Sequence, residues 1–162
     1  MDLISTFKSI RDIPYKIPLK WGEEDNCCSG KHEKLLNLLK KMGYGARYRV
    51  CVFLWSGLNL PPKLEKIPHE DDCTHSYLEI KIGDEWKVLD ATWDIGLKGI
   101  FHVNEWDGKS GTEIAVRPIK IFTPQKSLAI VENQDEELIK KDLKVNGEFY
   151  KGFNEWLAKC RK

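Results

Sequence analysis

Thr74-His75-Ser76-Tyr77-Leu78-Glu79-Ile80-Lys81-Ile82-Gly83-Asp84-Glu85-Trp86-Lys87-Val88-Leu89-Asp90-Ala91-Thr92 alternates apolar and polar side chains on both sides of a Gly-Asp pair. Alternation with period two marks a half-buried strand, and a two-residue Gly-containing turn joins two of them into a hairpin. Thr74 to Ile82 and Glu85 to Ala91 are the predicted strands. With Gly83-Asp84 as the turn, Leu78 faces Leu89 and Ile80 faces Lys87, so Leu78, Ile80, Ile82 and Leu89 share a core face. His75, Tyr77, Glu79 and Lys81 then share the other face with Trp86, Val88, Asp90 and Thr92. Asp90 lies opposite Tyr77 and diagonal to His75, and diagonal neighbours about 7–8 Å apart are within reach of a carboxylate and an imidazole. A slip of one residue would move Asp90 onto the face of Leu78 and Ile80.

Upstream, Leu3, Ile4, Phe7 and Ile10 recur at helical spacing until Pro14 and Pro18, which predicts a helix over residues 2–11 and an extended piece around Tyr15 to Leu19. Gly22 to Asn26 reads as a polar loop with Asn26 as N-cap. A second helix runs from Cys27 and Cys28 to about Lys41 and closes at Gly43. In the first turn of a helix the unpaired N–H groups and the dipole favour a thiolate. Steps of three and four carry Cys28 through His32, Leu35, Leu39 and Met42, the inward face. The same steps carry Cys27 through Lys31, Lys34, Leu38 and Lys41, the face expected toward water. His32 reads as a helix-face histidine, because a base on the same helix points along the axis rather than over the thiol.

Further along, Arg47 to Trp55 is a predicted strand, Gly57 to Asp72, with Pro61, Pro62 and Pro68, a long surface loop, and Glu113 to Phe122 another strand. Asp135 to Leu143 and Phe149 to Lys159 read as helices separated at Gly147. The 162 residues suit a single domain, with neither repeat nor linker. Lys plus Arg number 26 against 25 Asp plus Glu, which gives no basic footprint for nucleic acid. No run reaches the roughly 18 apolar residues of a membrane span, and no signal peptide is evident at the N-terminus. Five cysteines, an odd number with two adjacent, do not form a secreted disulfide framework, so the expected compartment is the cytoplasm.

Cys28, His75 and Asp90 are therefore a candidate nucleophile, base and orienter. Asp94 and Glu79 are further carboxylate candidates. The blocks that hold the three groups resemble the transglutaminase-like superfamily, whose core is a papain-like arrangement of a helix-borne cysteine with a histidine and an aspartate on strands. Leu38-Leu39-Lys40-Lys41-Met42-Gly43-Tyr44-Gly45-Ala46-Arg47 is similar to that family's Leu-Leu-Arg followed by Gly-Ile-Pro-Ala-Arg, and its spacing back to the nucleophile falls on Cys28. His75-Ser76-Tyr77-Leu78-Glu79-Ile80 is similar to His-Ala-Trp-x-Glu-Val, and Trp86-Lys87-Val88-Leu89-Asp90-Ala91-Thr92 to Trp-x-x-x-Asp-Pro-Thr. Phe7 to Tyr15 echoes the entry to the core. The resemblance covers residues 7–94. Cys27 stands where the family often has glycine, and Ala91 where it has proline.

The resemblance implies an α+β fold with the nucleophile at a helix N-terminus packed on an antiparallel sheet, residues 95–162 completing the domain with additional C-terminal helices. It also implies amide or acyl chemistry through a thioester, without a cofactor, on a peptide or protein amide, with water or an amine as acceptor. Trp21 and Tyr77 are candidates for shaping the site or its oxyanion pocket, Trp21 also reading as a structural aromatic. Two other readings stay open: a catalytically silent domain that binds protein or peptide in the same cleft, and a metal site from Cys27, Cys28, Cys73 and His75. The usual zinc Cys-x-x-Cys spacing is absent, and the expectation is that no metal is held.

Overall fold

The computed structural model describes residues 2–161 and has an α+β fold. Helix α1 spans Leu3–Arg11, α2 Cys28–Lys41, strand β1 Ala46–Leu54, the single turn α3 Pro62–Glu65, β2 Asp72–Ile82, β3 Glu85–Leu89, β4 Lys120–Ile121, α4 Pro124–Glu132 and α5 Glu136–Cys160. The four strands form one antiparallel sheet in the order β3-β2-β1-β4. Among the described residues no helix is long and apolar enough to cross a membrane.

The hairpin has the register its alternation predicts: Leu78 pairs with Leu89 and Ile80 with Lys87. Gly83, at φ 61°, supplies the left-handed conformation that the first turn position requires. Leu78, Ile80 and Leu89 are fully buried against Phe7 and Ile10 of α1 and Leu35, Leu36 and Leu39 of α2. The opposite face presents Cys51, Phe53 and Tyr77 to a second core. There Trp55, Trp93 and the α5 side chains Phe149, Tyr150, Phe153 and Leu157 pack together. Both faces of the sheet are thus covered, and His75, which pairs with Cys51, belongs to the second face.

Several expectations give way to packing. α5 is one helix, begun by the Asp135 carboxylate accepting from the Leu138 N–H at 2.9 Å, and Gly147 does not interrupt it. A helical glycine costs about 1 kcal/mol. Burying Phe149, Tyr150, Phe153 and Leu157 on one stripe returns about 1.5–3 kcal/mol for each large apolar side chain. Only Lys120 and Ile121 of the predicted Glu113–Phe122 strand pair with β1. Pro118 cannot donate to a ladder. The N–H groups of Thr112, Glu113 and Ala115 go instead to the Val88 carbonyl, the Asn104 side chain and Asp90. α4 was not expected, although Thr123-Pro124 is a cap followed by a first-turn proline, and the Thr123 hydroxyl accepts from the Lys126 N–H at 3.2 Å. The Gly57–Asp72 segment contains α3 and the end of a 3-10 turn at Trp55–Leu58 rather than being wholly irregular.

Asp94 fastens the two ends of the chain together. Its Oδ2 accepts from the Tyr15 N–H at 2.9 Å and from Arg161 at 3.0 Å, while Arg161 also donates to the Tyr15 carbonyl at 2.7 Å. Glu79 lies between Arg47 and Arg49 at 2.8 and 2.9 Å. Neither carboxylate therefore serves His75.

Candidate active site

Cys27, not Asn26, is the N-cap of α2. Its backbone is extended, at φ −89° and ψ −168°, and Cys28 is the first helical residue. The cap's N–H donates to Asp25 Oδ1 at 2.9 Å, so Asp25 orders the loop entering the helix while the Cys27 side chain makes no capping bond. Gly30 lets that loop lie against the helix: a Cβ there would stand 1.8 Å from the Asp25 carbonyl oxygen and 2.6 Å from its carbon. By helix propensity Gly30→Ala would stabilise α2. Collision with immobile backbone outweighs this, and a loss of about 1–3 kcal/mol in chemical denaturation is expected.

The phase argument holds for Cys28 and fails for Cys27. His32, Leu35 and Leu39 are fully buried below Cys28. Lys31, however, is also fully buried, and Cys27 is half-buried against the second core. At Lys31 the end of α1 and the chain after β3 cover the face a lone helix would leave to water. Burial lowers the Lys31 ammonium to about 7, opposed by Asp94, Asp90 and Asp12. It donates to the carbonyls of Arg11, Ile13 and Thr92 at 2.8, 2.9 and 2.7 Å, three acceptors that match the three protons of the charged form. Lys31 thereby ties α1 and the chain after β3 to the start of α2.

His75 and Asp90 meet as the hairpin predicts, with Nε2 2.7 Å from Oδ2 and both residues buried. β3 stops at Leu89, one residue before Asp90. The Asp90 N–H turns to Thr112 Oγ1 at 2.9 Å and its carbonyl accepts from Asn104, which aims the carboxylate at His75 from just beyond the ladder. Oδ2 also accepts from the Ala115 N–H at 2.8 Å, and Oδ1 accepts from the Thr92 N–H and hydroxyl. Burial opposes the carboxylate's charge, yet the His75 charge and these bonds hold it well below the usual carboxylate range.

With Nε2 facing Asp90, the Nδ1 edge of His75 is left for Cys28. Burial depresses the imidazolium, but Asp90 and the Cys28 sulfur lift it to about 10. The Cys28 thiol is driven well below its usual value. The hydrogen bond from Cys27 is the largest cause; burial acts against it, and the His75 bond and charge and the Ser76 N–H follow. Cys27 is raised by the same contact with Cys28 and by burial, and burial pushes Cys73 up to about 12. Of these three thiols Cys28 alone is held low, beside a raised imidazole.

His75, raised from 6.5 to about 10, contributes stability that is whole below pH 6.5 and lost as pH rises through 10. Asp90, depressed from 3.8, contributes stability present above that value and lost as pH falls through its lowered one. Both contributions are complete only between about pH 4 and 6.5.

Cys28 and His75 open onto a cleft of about 450 Å³. Its lining includes Tyr15, Phe53, Trp55, Cys73 and Tyr150, with Ile130 and Val131 of α4, Gln134 after it and Ile139 of α5. The Gly57–Asp72 loop contributes nothing to it. Trp21 lies off the cleft, 47% exposed, at the tip of an excursion closed by the Lys16–Asn26 bridge and turned at Gly22, φ 85°. Tyr77 is buried beside His75, ring centroids 5.9 Å apart at 18°, and does not line the cleft. Among the described residues no three His, Cys, Asp or Glu side chains are grouped to hold a metal ion.

His32 is more engaged than a helix-face histidine. Fully buried, it places Nδ1 2.7 Å from the Cys28 carbonyl and receives the Ala91 N–H at Nε2, 2.9 Å away. The sequence signal for it is its position four residues after Cys28 on the inward face. Compared with family models, curated proteins and solved structures, the chain matches none.

Proposed function

We propose that this chain is a cysteine-dependent acyl-transfer enzyme with a transglutaminase-like, papain-like core, acting on a peptide or protein amide through Cys28, His75 and Asp90. The observation that carries this reading is the buried 2.7 Å contact of His75 with Asp90, on the sheet face that brings the other ring nitrogen to the sulfur at the start of α2.

The Cys28 thiolate attacks the amide carbon, forming the C–S bond and an oxyanion. The Cys28 N–H, at the first helical position, has no partner within the helix and suits that charge. Collapse breaks the C–N bond as the His75 imidazolium protonates the departing amine, leaving a thioester. Water or a second amine then attacks the thioester. His75 accepts its proton, the C–S bond breaks, and the acid or new amide leaves with the thiolate restored. Asp90 keeps the imidazole turned and stabilises its charged form throughout.

The experiment is incubation with p-nitrophenyl acetate. A burst of one nitrophenolate per chain is expected, with the acetyl group mapped to Cys28, and added primary amine either accelerates turnover or leaves it to water. A chain that acetylates no faster at Cys28 than at its other thiols supports the silent, peptide-binding reading instead.

A further inference from the structure

Three groups of the proposed machinery sit on separate elements, and one side chain outside it touches all three. The backbone carbonyl of Cys28 can only accept and the backbone N–H of Ala91 can only donate. Contacts of 2.7 and 2.9 Å therefore fix His32 as the neutral imidazole with its proton on Nδ1. Its ring stands edge-on to the His75 ring, centroids 6.4 Å apart at 83°, and Nε2 lies 3.6 Å from Asp90 Oδ1. The charged or titratable groups facing it are Asp90, His75 and Cys28. Protonation would set an N–H against the Ala91 N–H, and burial lowers His32 below the usual histidine value in the same sense.

We propose that His32 is a positioning residue of the triad: a neutral clamp from the nucleophile's own peptide group to the Asp90–Ala91 peptide, with its ring a side wall for the His75 imidazole. The inference rests on the acyl-transfer reading above. α2 packs against β2 and β1, and apolar contact, being non-directional, does not by itself set the position of the helix along its axis. The two bonds of His32 fix that degree of freedom at the end where the sulfur must meet Nδ1 of His75. An alignment shared among three elements needs such a tie, because a displacement of even 1 Å weakens a catalytic contact severely.

The test is the pH profile of Cys28 alkylation by iodoacetamide, mapped by mass, in the full chain and in His32→Leu, His32→Asn and His32→Gln, with thermal unfolding beside it. Asn can reproduce the Nδ1 donor and Gln the Nε2 acceptor. In His32→Leu the midpoint of the profile is expected to rise by about one pH unit, so that alkylation at pH values below the parent midpoint slows about tenfold. The two amides are expected to fall between it and the parent. A merely structural residue would lower thermal stability and leave the midpoint where it is, and a folded His32→Leu with the parent midpoint overturns the proposal. If His32→Leu does not fold, an unmoved midpoint in both His32→Asn and His32→Gln overturns it. If Cys28 in the parent alkylates like an ordinary thiol, the acyl-transfer reading falls and takes this inference with it. A low parent midpoint with unmoved variants removes only the role of His32.

Discussion

Asp90→Asn is expected to slow acetylation of Cys28 by roughly 10⁴-fold, the scale on which an orienting carboxylate acts in such a triad. The loss has two sources. Asp90 supplies the charge that lifts His75 to about 10, and without it burial carries the imidazole below its ordinary 6.5, so the proton returns to Cys28. The amide also cannot replace the carboxylate as an acceptor. Asp90 receives the His75 ring, the Ala115 and Thr92 N–H groups and the Thr92 hydroxyl, and an Asn Nδ2 set at either oxygen's place meets donors. About 1–3 kcal/mol of stability should be lost with it, as expected for a buried group left unpaired. Folding is therefore followed by circular dichroism in the sample used for the burst. Equal burst rates in the folded variant and the parent would remove Asp90 from the mechanism.

Cys28→Ala should abolish the burst altogether, whereas Cys27→Ser should keep its rate within about threefold. The contrast matters because both sulfurs line the cleft and sit one residue apart. Serine at the cap position is a good N-cap, worth about 1 kcal/mol over a residue without a capping oxygen, and its hydroxyl can still donate toward the Cys28 thiolate. Cys27 itself is raised rather than lowered by that contact. Burst loss in Cys27→Ser with retention in Cys28→Ala would exchange the two roles.

The hairpin was legible because the Gly83-Asp84 turn and the alternation on either side of it leave one register that buries Leu78, Ile80 and Leu89 together. That register also carried the His75–Asp90 contact, although the ladder ends before Asp90 and the carboxylate is aimed by Thr112 and Asn104. Helix phase identified Cys28 and its buried successors for the same reason: the inward stripe of α2 is apolar. Where several segments converge, local rules failed. Lys31 looks solvated on the helix alone and is buried because three carbonyls from two distant stretches surround it. The chain from Thr112 to Ala115 has strand-like composition, yet it makes only one backbone bond to β3, at Val88, and its other N–H groups serve the side chains of Asn104 and Asp90. Gly147 would end a helix governed by propensity, and the aromatic stripe that follows it carries the helix through. The Asn26 cap signal fell one residue short of the cap at Cys27, and at Gly147 tertiary burial decided the outcome.

The central claim is a Cys28 thiolate paired with a His75 imidazolium, and the rate of iodoacetamide reaction at Cys28 against pH measures it directly. The account predicts a rate close to its plateau at pH 6, where His75 is fully charged and a free thiol, with its value of about 8.5, would be only a fraction of a per cent ionised. A rate that instead falls tenfold for each pH unit below about 8.5 would contradict it.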